Sequence, residues 1–278
     1  MAAPAARTME LTADITPDGV TEALRAGKLA VAKDLLQGKV RAAASDARLR
    51  ISLLQLLLVM GEWDRARGQL EVLESLGDEN RSWLNLLGPA FLGEALRREV
   101  FLGRTTPLVL GEPADWIARL IQATRPGDAA AQAELRASAF EAAPEVRAKV
   151  NGEEVPWLAD ADSRLGPVCE AIMEGKYYWI PFDRIRRLSL EAPTDTRHLV
   201  WIPAQATWST GGESAILIPT RYPGTEVSAD DRLRLARLTT WDEIAPGQYA
   251  GLGQRMLTAG DKDFPILDIR TLEFPESG

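Results

Sequence analysis

The 278-residue chain has one cysteine, Cys169, and one histidine, His198. A lone cysteine closes no intrachain disulfide and fits a reducing compartment. A zinc site of Cys and His ligands cannot be assembled within one such chain either. Long apolar runs are also missing. The longest aliphatic stretch, Ile51 to Met60, contains Ser52 and Gln55 and falls well short of the ~20 residues a bilayer crossing needs. It reads as a buried helix, and no membrane partner is expected. Positive charge is in deficit, with 32 Lys and Arg against 40 Asp and Glu and a net charge of −8. That is the wrong sign for a duplex-binding protein that relies on counterion release, so nucleic acid is not expected as a partner. No targeting segment is expected, because Glu10, Asp14 and Asp18 interrupt the N-terminal stretch before an apolar core can form.

Catalytic signatures are missing as well. The sequence has no G-x-x-x-x-G-K-[ST], no H-E-x-x-H and no G-x-S-x-G, and Gly251-Leu-Gly253 runs on to Met256 where a dinucleotide fingerprint wants glycine. His198 lies between Arg197 and Leu199 with no orienting carboxylate evident, and reads as a strand-edge residue without a catalytic role. Cys169 reads as a helix residue rather than a nucleophile. The acid pairs Asp160/Asp162 and Asp230/Asp231 read as loop acids facing water. No catalytic, metal-binding or cofactor-binding residue is assigned, and the chain is not expected to be an enzyme.

What is present is a hydrophobic fraction of 46%, ample for a core, distributed in two different ways. From Val20 to about Ala143 the pattern is helical, rich in Ala, Leu, Arg and Glu. A 34-residue repeat runs through it: Gly27, Ala32 and Leu36 line up with Gly61, Ala66 and Leu70, and Leu24 and Leu58 precede each glycine by three. Glycine permits a tight turn between antiparallel helices, alanine lets the second helix approach the first, and Leu29 or Trp63 plugs the pair. This is the spacing of tetratricopeptide-like helical hairpins. A third copy would place glycine near position 95, where the chain has Ala95. Gly88-Pro89 is expected to break or kink the chain there, and helices around Trp116 and from Ala129 to Ala142 to cap the array.

After Pro144 the character changes. Short apolar or alternating runs (Tyr177–Ile180, Leu188–Leu190, His198–Ile202, Ala215–Ile218, Gln248–Leu257 and Ile266–Leu272) are separated by turn sequences such as Thr210-Gly-Gly-Glu and Tyr222-Pro-Gly. Asn151-Gly152 signals a further turn. Short helices are expected around Val168–Met173 and Asp230–Leu238. The fold class is therefore α+β: a tetratricopeptide-like α-hairpin domain over residues 1–148, a connecting segment over 149–176, and a small Trp-rich β-barrel or β-roll over 177–278. Five of the eight tryptophans fall between Trp157 and Trp241, where core packing is the favoured role. The turns at Trp208–Glu213 and Pro219–Gly224 either display Glu213, Arg221 and Tyr222 or merely close the barrel.

Taken in order, Arg164-Leu-Gly-Pro-Val, Tyr177-Tyr-Trp-Ile-Pro-Phe, Leu199-Val-Trp-Ile-Pro-Ala, Ala206-Thr-Trp-Ser-Thr-Gly-Gly-Glu, Pro219-Thr-Arg-Tyr-Pro-Gly, Leu235-Ala-Arg-Leu-Thr-Thr-Trp and Gly253-Gln-Arg-Met-Leu resemble the ImpE/SciE/TagJ family. These are accessory proteins of bacterial type VI secretion systems. The resemblance is strongest from about Asn151 to Arg270. It implies a cytoplasmic, non-enzymatic adaptor that binds a helix of the contractile sheath's small subunit and is associated with the AAA+ ATPase that recycles the sheath. Stacked helical hairpins offer grooves for such a helix, and Lys28, Lys33, Arg65 and Arg67 are placed to steer an acidic face of it. Glu213, Arg221 and Tyr222 are the alternative contact set. The rival readings are an enzyme with a cleft in the β half, using Glu213, Arg221 or His198, and a self-assembling structural subunit.

Overall fold

The computed structural model describes residues 19–77 and 80–275. The N-terminal acids that argue against a targeting segment lie outside them. Seven helices fill the first half: α1 (Val20–Arg25), α2 (Leu29–Ala42), α3 (Ala47–Val59), α4 (Trp63–Leu76), α5 (Arg81–Phe101), α6 (Asp115–Gln122) and α7 (Ala129–Ala142). The first four pair on glycine. Gly27 and Gly61 have φ of +67° and +69°, the left-handed region in which only glycine is unstrained. The same hydrogen bonds recur one repeat apart: Gly27 N–H to Leu24 O and Lys28 N–H to Ala23 O, then Gly61 N–H to Leu58 O and Glu62 N–H to Leu57 O. A third turn of this kind closes α5, at Gly103 rather than at position 95, with Gly103 N–H on Val100 O and Arg104 N–H on Glu99 O. It is displaced because α5 runs for 21 residues.

Gly88-Pro89 does not break α5, contrary to the expectation from sequence. Leu87, Ala90 and Phe91 are buried on either side of Pro89, and tertiary packing of this kind carries a helix past a missing backbone bond. Ala32 and Ala66 are fully buried, as is most of α3. Ala66→Leu should therefore overpack the α3–α4 pair and cost about 1–3 kcal/mol in a denaturant titration. An unchanged midpoint would mean that the helices have room there.

The second half is built of strands, and none of the sheets they form closes into a barrel. In chain order they are β1 (Leu108–Val109), β2 (Ala148–Val150), β3 (Glu153–Val155), β4 (Ala159–Asp160), β5 (Val168–Met173), β6 (Lys176–Pro181) and β7 (Ile185–Leu190). There follow β8 (Trp201–Trp208), β9 (Glu213–Pro219), the one-turn α8 (Asp231–Arg234), β10 (Thr239–Ala245), β11 (Gln248–Gly253), β12 (Met256–Ala259), β13 (Lys262–Pro265) and β14 (Thr271–Glu273). Nine of the strands make one open sheet in the order β1-β6-β5-β9-β8-β7-β14-β2-β3, and β10-β11 and β13-β12-β4 make two small ones. A barrel buries one face inside itself, whereas here helix α5 lies on that face and the core is helix on sheet. The supposed helix at Val168–Met173 is strand β5, sheathed on both sides by β6 and β9. A strand buried on both faces has no alternation to betray it. Residues 149–176 thus supply most of β2 and all of β3, β4 and β5, and β1, which leaves the helical half, pairs parallel with β6.

Strand register decides what α5 meets. Glu170 pairs with Trp179, Ile172 with both Tyr177 and Leu217, Leu217 with Pro203, and Gln205 with both Ala215 and Ser189, so all of these share one face of the sheet. A Cβ on Gly93 would overlap the Ile172 side chain, which fixes how closely α5 approaches β5. Phe101 packs on Trp179, while Trp63, Phe91 and Trp201 form an aromatic trio across α4, α5 and β8. Trp63, which sequence reasoning set as the plug of its own hairpin, reaches over to Trp201, with ring centroids 5.9 Å apart.

Candidate functional site

The polar centre of the molecule lies where α5 crosses β5. Arg97 donates from Nε to Glu170 at 2.6 Å, from Nη1 to Glu94 at 3.2 Å and from Nη2 to the Arg221 carbonyl at 2.9 Å. Arg255 donates to Asp160 and Glu170 and, through Nε, to the Pro219 carbonyl at 2.8 Å. Tyr177 donates its hydroxyl to Glu170 and accepts from Trp179 Nε1 at 2.7 Å, and Trp201 Nε1 donates to Glu94 at 2.9 Å. Beside them Tyr222 donates its hydroxyl to Asp160 at 2.9 Å, and Asp162 pairs with Arg164 and accepts the Gly251 N–H. Four carboxylates (Glu94, Asp160, Asp162, Glu170) thus face three guanidiniums (Arg97, Arg164, Arg255), all but Arg164 buried, while the buried Arg221 beside them donates to backbone carbonyls. A buried charge is tolerable only when paired and hydrogen-bonded, and the carboxylates and their three arginines meet that condition through shared ion pairs.

Its titration follows from the same contacts. Burial favours the neutral acid at Glu170, but Arg255 and then Arg97 outweigh it and hold the carboxyl down at about 2. At Asp160 burial dominates and pushes the carboxyl up to about 7 against the pull of Arg255. The two groups act in opposite directions on stability. Below about pH 4.5 the unfolded chain protonates Glu170 before the folded one does, so its contribution is lost as pH falls toward 2. Between about pH 7 and 4 the folded chain protonates Asp160 first, so its contribution grows as pH falls. Denaturant midpoints measured from pH 2 to 8 should show Asp160→Asn flattening the slope between about pH 4 and 7, with the acid limb kept. An unchanged slope in that window would mean that Asp160 is already ionised there.

Around this centre the β half holds the ends of the helices. Arg221 Nη1 donates to Val59 O at the end of α3, at 2.8 Å, and Arg237 donates to Leu24 O and Arg25 O at the end of α1, both at 2.9 Å. Asp231 accepts the Leu29 N–H at the start of α2, at 2.8 Å. Cations thus sit at carboxyl ends and a carboxylate sits at an amino end, which satisfies orphan backbone groups and suits the helix dipole.

These placements redistribute the residues singled out from sequence. Arg221 and Tyr222 are not displayed by their turn but are buried, at 5% and 1% exposure. Glu213 is exposed at the start of β9. Lys33 and Arg65 both pair with Glu62, Lys28 is exposed, and Arg67 is exposed with its guanidinium 5.8 Å from the Phe91 ring centre. Asp160 and Asp162 are inside the network rather than in water, and Asp230 caps α8 by accepting the Arg232 N–H. His198 is buried in a 3₁₀ turn, where Nδ1 accepts the Thr194 N–H and burial lowers its pKa. Cys169 is buried in β5, and burial pushes its thiol up to about 12, which leaves no thiolate.

An open cavity of about 450 Å³ lies between α5 and the sheet, and none of Glu213, Arg221 and His198 lines it. No group of acidic, His or Cys side chains suited to a metal ion occurs among the described residues, nor any helix long and apolar enough to cross a membrane. The network residues that sequence reasoning missed are Glu94, Arg97 and Glu170. Their signal was charge in apolar surroundings: Glu170 stands inside Val168-Cys-Glu-Ala-Ile172, and Glu94 and Arg97 lie one helical turn apart beside Phe91 and Val100.

Known proteins share this architecture and sequence. The ImpE protein family model matches residues 152–273, the stretch that carries most of the network and the helix-end contacts. The crystal structure of a Vibrio parahaemolyticus protein superposes with a TM-score of 0.83 at 26% identity, over 93% of this chain and 98% of the other. The type VI secretion system accessory component TagJ of Pseudomonas aeruginosa is 45% identical over 257 residues, covering 91% of this chain and 90% of that protein. Likeness of that degree along nearly the whole length, with the signature residues gathered at the junction of the two halves, places the chain in the ImpE/TagJ family.

Proposed function

We propose that the chain is a non-enzymatic adaptor of a bacterial type VI secretion system, working in the cytoplasm, which binds a helical segment of the contractile sheath's small subunit and links it to the AAA+ recycling ATPase. The observation that carries this reading is the 45% identity to the accessory component TagJ over 91% of the chain. The interior supports it. The charged groups that an active site would need are spent on one another and on helix ends, and Glu213, Arg221 and His198 do not converge on the open cavity.

The stacked pairs α1–α2 and α3–α4, read as tetratricopeptide-like, offer the partner helix a groove. With Lys33 and Arg65 committed to Glu62, Lys28 and Arg67 are the side chains left to steer an acidic face. The test is a titration of purified small sheath subunit into the full chain, with and without the subunit's helix. Saturable binding that is lost with the helix is the expected result. Binding indifferent to the helix, or no binding, contradicts the reading.

A further inference from the structure

The cavity beside α5 is a place where the fold leaves a sheet face uncovered. Helix α5 is pressed onto β5 and β6 at its carboxyl half, through Gly93 against Ile172, Arg97 on Glu170 and Phe101 on Trp179. Its amino half stands off β7, β8 and β9, and the gap opens to solvent. Leu86 and Pro89 form the helix wall, and Ile172 and Leu217 the sheet wall. Glu174 and Glu191 are the charged side chains lining it, so the rim is acidic in an apolar groove. At 62% exposure, Leu92 continues the apolar surface past the β5–β6 turn, where Gly175 packs against it. Asn85 lines the groove too, and Pro89 has no N–H to give its carbonyl.

We infer that this groove is a docking site for an amphipathic helix that carries Lys or Arg beside its apolar face. A helix suits the groove because the floor is a sheet face and not an edge. Strands β5, β9, β8 and β7 are each hydrogen-bonded to neighbours on both sides, so an extended segment laid across them would find no backbone partners. A helix satisfies its own backbone and contributes side chains alone. Its charge is set by Glu174 and Glu191, which a basic flank neutralises and an acidic flank repels. The volume, about 450 Å³, is within the ~300–1,000 Å³ range of small-molecule pockets, enough to take apolar side chains from one helix face. This site is separate from the hairpin surface of α1–α4, and its chemistry is opposite in sign, so it is a second docking surface on the same body.

The probe is a stapled 16-residue helix with Leu at i, i+3, i+4 and i+7 and Lys flanking them, compared with the same peptide bearing Glu for Lys. Each is titrated into the full chain, into E174K/E191K and into Leu217→Arg, whose long cationic side chain blocks the sheet wall. Thermal melts serve as the check that each variant is folded. The Lys peptide should bind the natural chain and shift the methyl resonances of Ile172 and Leu217. E174K/E191K should weaken it by at least ~10-fold and favour the Glu peptide instead. Absence of binding by the Lys peptide, or binding that ignores both variants, overturns the assignment. Neither result decides whether the sheath subunit binds, which its own titration tests.

Discussion

Glu170→Gln should lower the unfolding free energy by about 3–5 kcal/mol, the cost of removing one partner from a buried ion pair. The substitution keeps the shape, removes the charge and turns one of the two acceptor oxygens into an N–H donor that faces an arginine or tyrosine donor. It leaves Arg97 and Arg255 facing each other's positive charge in a fully buried site, with Tyr177 deprived of its acceptor's charge. For a chain of this size the midpoint of thermal unfolding should fall by roughly 6–20 °C, since each kcal/mol is worth about 2–4 °C. The comparison that isolates burial is Asp230→Asn. Its pair with Arg232 has the same formal charges, but the arginine is 67% exposed, and loss of such a pair should cost no more than about 1 kcal/mol. Equal effects at the two sites would mean that the central network is solvated.

Gly253→Ala should be nearly as damaging, for a steric reason. Gly253 closes β11 at φ +100°, a conformation that an L residue holds only at a cost of about 1–3 kcal/mol. A Cβ there would also run into the Leu238 carbonyl oxygen, a backbone atom that cannot swing aside, and overpacking adds a further ~1–3 kcal/mol. Gly211→Ala provides the contrast, because Gly211 has a similar φ of +93° but open space around it. It should pay the strain alone. Chemical denaturation of the two variants separates the effects, and equal losses would show that the contact with Leu238 relaxes freely.

The glycine pair at 251 and 253 shows what could and could not be read from sequence. Gly251-Leu-Gly253 was recognisable as something other than a dinucleotide fingerprint, but its reason is tertiary: a Cβ on Gly251 would enter the Tyr222 ring, from a segment about thirty residues away in the chain. Turn chemistry was more legible because it is local. Gly27 and Gly61 sit at helix ends in the left-handed conformation, and Asn151-Gly152 turns β2 into β3. Residues Val168–Met173 read as a helix in sequence because a strand buried on both faces loses its period, and the expected barrel is not realised because no local pattern states what covers a sheet.

The site was the hardest to see. Arg164, Tyr177, Arg221, Tyr222 and Arg255 stand within the family signature, and for Arg221 and Tyr222 the turn leaves open whether they are displayed or close the fold. Their partners decide it. Glu94 and Arg97 come from a helix, Glu170 from strand β5 and Asp160 from the short strand β4, and only the fold brings them within hydrogen-bonding distance. The signature therefore describes the joint between the helical half and the sheet. On the proposed reading, an adaptor needs that joint rigid so that its docking surfaces keep a fixed separation.

The rigid joint rests most directly on the pairing of Arg97 in α5 with Glu170 in β5, and a double-mutant cycle with Arg97→Met and Glu170→Gln measures it. If the network clamps the two halves, the double variant should be more stable than the sum of the single losses implies, with a coupling of about 1.5–3 kcal/mol. Single losses that add to within about 0.5 kcal/mol would show that the two residues act independently, and the clamp would be contradicted.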